Sequence, residues 1–250
     1  MADIAVLDLA LFIGATFAAA LVAGMAGFAF GLVAAAVWLH VLTPLQTTTL
    51  IVAFGLIVQG YSVWKLRRAL KPARLLPFLL GGAIGLPLGV ELLRWTPAAY
   101  VRTAVGVCLV LFSVWSLAKP QLKRISAGGR LADGGVGVLS GILGGMTGFG
   151  GILPTIWSGL RGWPKDEQRA VFQPTGVAIF LGTALMLGGT GSITVDTTRL
   201  FLIGLPALLA GSWLGLKLYG RLDEAGFRKV VLVLLLASGA ALVAPALIGG

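Results

Sequence analysis

Charge is scarce in this chain. Asp and Glu together number nine, and charged types make up 11% of the 250 residues. A soluble domain carries roughly 25% charged residues, so an ordinary water-facing surface is excluded. Cysteine occurs once, as Cys108 within an apolar run, which excludes a disulfide inside the chain. Histidine also occurs once, as His40, with no Cys, Asp or Glu beside it, a poor basis for a metal site. No metal and no cofactor is expected. Of the carboxylates, Asp3, Asp8, Asp133, Asp166, Glu167, Asp196, Asp223 and Glu224 fall outside the long apolar runs. Glu91 lies near the end of one, where Arg94 can pair with it at i, i+3. The buried carboxylate or histidine relay of many proton-coupled carriers is therefore not expected. Nor does any apolar run hold a nucleophile with a base, so the chain does not read as an enzyme. The alternation of a membrane β-barrel strand is missing as well.

What is present is apolar length. Hydrophobic types make up 58% of the chain, and the mean hydropathy is +0.98. Uncharged or nearly uncharged runs cover 9–42, 44–64, 75–93, 97–118, 134–160, 170–187, 200–216 and 230–248. A membrane-spanning helix needs ~20 apolar residues, and six of these eight runs have that length. The fold class is an all-α polytopic membrane protein, a single transmembrane domain over 1–250. The net charge of +10 sits in the loops between runs, where basic residues hold loops on the cytoplasmic side; no nucleic acid is expected. The N-terminal residues, with Asp3 and Asp8 and no Lys or Arg, do not read as a cleavable signal peptide. Trp38, Trp64, Trp95, Trp157 and Trp163 fall near run ends and read as interface anchors.

Two runs differ from the rest. The run 9–42 is too long for one span and breaks at Gly24-Met25-Ala26-Gly27-Phe28-Ala29-Phe30-Gly31. The run 134–160 breaks at Gly144-Gly145-Met146-Thr147-Gly148-Phe149-Gly150-Gly151, followed by Pro154. From Gly134 to Gly144 is ~16 Å of helix, about half of a ~30 Å hydrocarbon core. Both runs read as re-entrant hairpins, with full crossing of both arms as the alternative of equal parity. If each hairpin returns to its starting side, sixteen of the nineteen basic residues share one side, and only Arg94, Arg102 and Arg199 face the other. If each hairpin crosses once, the split is ten against nine. The positive-inside rule selects the first arrangement. Both termini then lie on the non-cytoplasmic side.

The halves resemble each other. At a spacing of 121, Gly24, Met25, Gly27 and Phe28 match Gly145, Met146, Gly148 and Phe149. At a spacing of 126, Gly85, Leu88, Gly89, Leu92 and Arg102 match Gly211, Leu214, Gly215, Leu218 and Arg228. The first repeat covers 9–118, a cytoplasmic linker 119–133 and the second repeat 134–248. Each is a glycine-broken hairpin plus three transmembrane helices. The first starts outside and the second inside, so the repeat is inverted, a common plan for secondary transporters with substrate near the midplane.

The paired breaks are the candidate site. A helix N-terminus offers unpaired N–H groups and the positive end of a dipole, which suits an anion. Hairpins entering from opposite faces bring such ends, near Ala29 and Gly151, to one cavity. The candidate contacts are Gly24, Met25, Ala26, Gly27, Phe28, Gly145, Met146, Thr147, Gly148, Phe149 and Gly150. Packing alone is the competing role for these glycines. Gln173, Thr175 and Thr48 add polar groups within apolar runs, where they line a cavity or bond a neighbour. Arg169 stands as an anion contact or a loop anchor. Gln59 reads as a helix-to-helix hydrogen bond. Gly85 with Gly89, and Gly211 with Gly215, read as packing faces. On this reading Gly148→Leu abolishes transport and leaves membrane expression intact.

The stretch Gly141-Ile142-Leu143-Gly144-Gly145-Met146-Thr147-Gly148-Phe149-Gly150-Gly151-Ile152-Leu153-Pro154, continuing to Arg169-Ala170-Val171-Phe172-Gln173, resembles the sulfite exporter TauE/SafE family. The first-half copy departs from it, with Val33 where the repeat would place the proline. The resemblance implies an inner-membrane bacterial permease exporting sulfite or an organosulfonate such as sulfoacetate. The residues by themselves reach a small anion, which includes carboxylates and phosphate. A non-transporting membrane assembly module is the reading from another class. The expected partners are the anion and the lipid bilayer, with a homodimer left open.

Overall fold

The computed structural model describes residues 6–26, 29–66, 72–118, 128–218 and 224–248. Among these the regular structure is helical, without strands. In chain order the helices are α1 (Val6–Ala26), α2 (Phe30–Val41), α3 (Pro44–Leu66), α4 (Pro72–Trp95), α5 (Ala98–Ala118), α6 (Gly129–Thr147), α7 (Ile152–Leu160), α8 (Lys165–Gly189), α9 (Val195–Leu218) and α10 (Glu224–Ile248). Six of them, α1, α4, α5, α8, α9 and α10, are long and apolar enough to cross a membrane. The chain is a polytopic helical membrane protein.

Local chemistry sets the helix ends. Thr43 and Gln46 form a reciprocal capping box at α3: the Gln46 N–H donates to Thr43 Oγ1 at 3.2 Å, and the Thr43 N–H to Gln46 Oε1 at 3.1 Å. Thr194 Oγ1 accepts the Thr197 N–H at 3.2 Å and starts α9 the same way. Asp166 and Glu167 occupy the first turn of α8, where the dipole favours them. Arg94 pairs with Glu91 at 2.9 Å, as the i, i+3 spacing predicts.

Both long runs break where the glycines are. α2 begins after Ala29, which sits in the left-handed region at φ 75°, and α7 begins after Gly151. α6 starts at Gly129, inside the expected linker and ahead of the uncharged run. Its 19 residues span about 28 Å, close to the full hydrocarbon thickness and not half of it. The charge pattern ended the run at Asp133, whereas Asp133 is buried within the helix, 6% exposed.

The helices gather into two compact units. One holds α1, α2, α5, α9 and α10; the other holds α3 from Thr48 onward with α4, α6, α7 and α8. Neither coincides with a half of the sequence.

In the first unit α1 packs along α9. Gly211 lies against the Phe17 carbonyl and Gly215 against the Leu21 carbonyl. A Cβ added at Gly24 would fall 2.9 Å from the Ser212 oxygen. In the second unit α6 packs along α4. Gly85 lies against the Val138 carbonyl and Gly89 against the Ile142 carbonyl. A Cβ added at Gly145 would fall 2.9 Å from the Leu86 oxygen. These contacts correspond position by position under the spacings of 121 and 126. The close approach is what small residues allow between membrane helices. α5 packs along α10: Gly106 and Gly239 face each other, an added Cβ meeting the other's carbonyl at 2.9 and 2.8 Å.

Each hairpin also closes on itself through an indole. The Trp38 N–H donates to the Phe12 carbonyl at 3.4 Å in the first unit. The Trp157 N–H donates to Asp133 Oδ1 at 2.7 Å in the second. Trp38 is fully buried, its ring 5.1 Å from that of Phe12. Trp38 is thus a buried structural pin and not the interface anchor its position suggested. Trp157 is half-buried, and Trp64 and Trp95 are exposed, at 61% and 78%.

Candidate anion site

The break between α6 and α7 is built from the end of α6 outward. Thr147 turns its hydroxyl back to the Leu143 carbonyl at 2.7 Å, and the same oxygen accepts the Phe149 N–H at 3.3 Å. Gly148 then reverses the chain at φ 78°, its N–H bonded to the Gly144 carbonyl at 2.8 Å. Gly150 packs under Ile179 of α8, where an added Cβ would lie 2.8 Å from Cγ2. α7 follows, with Ile152 bonded to the Phe149 carbonyl and Thr155 to the Gly151 carbonyl. Pro154 has no N–H to offer. Among the described residues the N–H groups of Gly150, Gly151 and Leu153 have no acceptor. They sit at the positive end of the α7 dipole.

Side chains from α3 and α8 frame this end. Thr48, 2% exposed, donates to the Met146 carbonyl at 3.1 Å. Gln59 and Gly151 both approach Gly176: a Cβ added at Gly176 would lie 3.2 Å from Gln59 Oε1 and 3.7 Å from the Gly151 Cα. Gln173, 3% exposed, stands one turn before Gly176 on α8, and the partly exposed Arg169 one turn earlier still. Thr175 is fully buried, its hydroxyl donated to the Val171 carbonyl of its own helix at 2.8 Å. The surround thus combines free amides and two carboxamides, which can bind an anion without neutralising it.

The sequence-derived candidates separate in the structure. Thr48, Met146, Thr147, Gly148, Phe149, Gly150 and Gln173 belong to the second unit around this break. Gly145 faces α4 and Gly24 faces α9, so the side on which a substituent would project is occupied by helix backbone. Met25 is buried in the last turn of α1, which ends at Ala26. Gly27 and Phe28 lie outside the described residues. Gly148 needs its positive φ, and a Cβ there would fall 2.6 Å from Ile51 Cγ2. Leucine at that position therefore strains the turn and the α3 contact together, so it damages the fold before it tests binding. Gly151 and Gly176 were missed as candidates. The i, i+3 spacing of Gln173 and Gly176 on α8 was the available signal.

The fold is that of a multi-pass helical membrane protein. Residues 11–242 match the family described as sulfite exporter TauE/SafE, and the chain belongs to that family. Its members are membrane transporters of the sulfite-exporter type, which is the class of this protein. Comparison with curated proteins and with solved structures gives no match.

Proposed function

We propose that this chain carries a small sulfur oxyanion, sulfite or an organosulfonate such as sulfoacetate, outward across the bacterial inner membrane. The anion is held by the free N–H groups at the start of α7, with Gln59 and Gln173 as neutral donors around it. The observation that carries this reading is the set of unpaired amides at Gly150, Gly151 and Leu153 at a helix N-terminus, beside buried polar side chains. A sulfonate presents three oxygens to such donors, and glycine lets them approach closely.

Alternating access comes from an inverted repeat of two halves. The corresponding contacts of α1 with α9 and of α6 with α4 support a duplication at atomic detail. The Trp157–Asp133 and Trp38–Phe12 bonds bring each hairpin's end back beside its start, which agrees with hairpins that return to their starting side. That arrangement puts sixteen basic residues in the cytoplasm and both termini outside it.

Binding to purified protein tests the reading directly. A ligand that binds only the native state raises its apparent stability. Sulfite, methanesulfonate and sulfoacetate are expected to raise the thermal midpoint, with acetate and phosphate weaker. A shift with acetate alone moves the substrate to carboxylates. No shift with any of the five overturns the site.

A further inference from the structure

Around the break, side chains fill the space that glycines leave between α8 and its neighbours. Phe180 lies under Gly55 of α3, where an added Cβ would fall 2.5 Å from Cε2. Ile179 lies under Gly150, and Leu86 of α4 takes the room beside Gly182. Gly176 is different. It is buried within α8, yet the atoms nearest to an added Cβ are Gln59 Oε1 at 3.2 Å, the Gly151 Cα at 3.7 Å and the Gly151 nitrogen at 3.8 Å. The last two are ordinary contact distances for a methyl group. The first is to the end of a flexible, half-buried side chain, which can give way slightly. The fold thus leaves room for one methyl group at Gly176.

Helix packing does not account for this glycine. Gly85 and Gly211 are needed because the backbone of a neighbouring helix lies against them. No backbone atom of a neighbour lies nearer than 3.7 Å to a Cβ at Gly176, and alanine is the better helix former. Protein interiors are close-packed, so an unfilled methyl-sized space at a buried position asks for an occupant. This space borders the free amide of Gly151 and the carboxamide of Gln59. Pro174, two residues earlier, supplies the competing role, in which glycine eases a bend in α8. That role predicts no preference among anions.

We infer that Gly176 is the specificity-determining residue of the anion site: its missing side chain leaves room for a short carbon substituent on the bound sulfur oxyanion, so that the site takes small organosulfonates as well as sulfite. The inference rests on the anion site proposed above. Sulfite and methanesulfonate offer the same three oxygens to the amides. They differ in one place, where methanesulfonate carries a methyl group and sulfite a lone pair. An oxyanion held by the Gly151 N–H has its remaining substituent within reach of the space at Gly176. A methyl group on the ligand and a methyl group on the protein at this position then compete for one volume. Gln59 closes the far side of that volume and limits the substituent to a short one.

The experiment measures the affinities of sulfite and methanesulfonate for the full-length protein, as wild type and as Gly176→Ala, at one pH. Gly176→Ala is expected to keep sulfite within about threefold and to lose at least about tenfold for methanesulfonate, the scale on which one methyl group is discriminated. Its ligand-free thermal midpoint is expected to equal that of wild type or exceed it. Equal losses for the two anions, or no loss for either, overturn this inference and leave the anion site standing. Wild type that binds neither anion overturns the anion site, and the inference falls with it. Should Gly176→Ala not fold, wild type decides with a bulkier sulfonate. Benzenesulfonate at least about tenfold weaker than methanesulfonate supports a methyl-sized space, and equal affinities overturn it.

Discussion

Gly85→Leu is expected to leave almost no folded protein. Gly85 lies against the Val138 carbonyl in the α4–α6 contact, and a Cβ there also meets the Ile142 amide at 3.1 Å. Backbone cannot give way as the tip of a side chain can. Accommodating leucine means separating α4 from α6, which also opens the contacts at Gly81, Gly89, Gly137, Gly141 and Gly145. Overpacking a tight core costs typically 1–3 kcal/mol, and here a whole helix pair must shift, so about 3 kcal/mol is the lower end expected. Gly211→Leu should behave the same way, because Gly211 meets the Phe17 carbonyl as Gly85 meets that of Val138. The control lies on α6 itself. Gly135 has open space where a Cβ would go, and alanine there should gain up to about 1 kcal/mol of helix propensity. The check is the monodisperse fraction and thermal midpoint after detergent extraction. Wild-type values for Gly85→Leu would mean that α4 and α6 are not packed as described.

Gly151→Ala should do the opposite, sparing the fold and removing binding. Gly151 has φ −88° and ψ −11°, a conformation any residue adopts, and the nearest atom to an added Cβ is the Phe172 oxygen at 3.6 Å. The stability loss expected is below about 1 kcal/mol, the scale of an altered N-cap. The methyl group would add bulk on the residue between the free N–H groups of Gly150 and Leu153, on the side that faces the Phe172 carbonyl, and it is expected to hinder the approach of the anion. Loss of at least tenfold in affinity, about 1.4 kcal/mol, is the expected result. It is read as a lost thermal shift with sulfite and methanesulfonate at an unchanged ligand-free midpoint. Unaltered binding would remove the start of α7 from the site. Gly148→Leu cannot serve this purpose, since its positive φ and its contact with Ile51 make it a fold variant.

The two glycines were alike in the sequence. Both lie in one Gly-rich break, and nothing local says that one turns the chain while the other borders the free amides. The difference comes from α3 and α8, which bring Ile51 against Gly148 and leave Gly151 facing only the Phe172 carbonyl. The same holds for Gly24 and Gly145. Their pairing across the repeat was legible, but that they face Ser212 and Leu86 depends on which helices lie beside α1 and α6. Membrane helices add to the difficulty. Lipid and protein neighbours are both apolar, so no amphipathic stripe marks the buried face, and small residues are its main sign.

By itself the sequence determined the membrane class, the two breaks, the helix starts at Ala29 and Gly151, the Glu91–Arg94 pair and the family. These depend on composition, on run length and on chemistry within a few residues, all of which are local. The tertiary structure alone decided that Asp133 is buried, that Trp38 and Trp157 close the hairpins, that Gln59 and Gly151 both approach Gly176, and that each unit mixes helices from both halves. Those facts join residues far apart in the chain. Asp133 shows the reason most plainly: one turn after Arg130 it reads as the end of a loop, whereas in the fold it is buried with the Trp157 indole of α7 bonded to it.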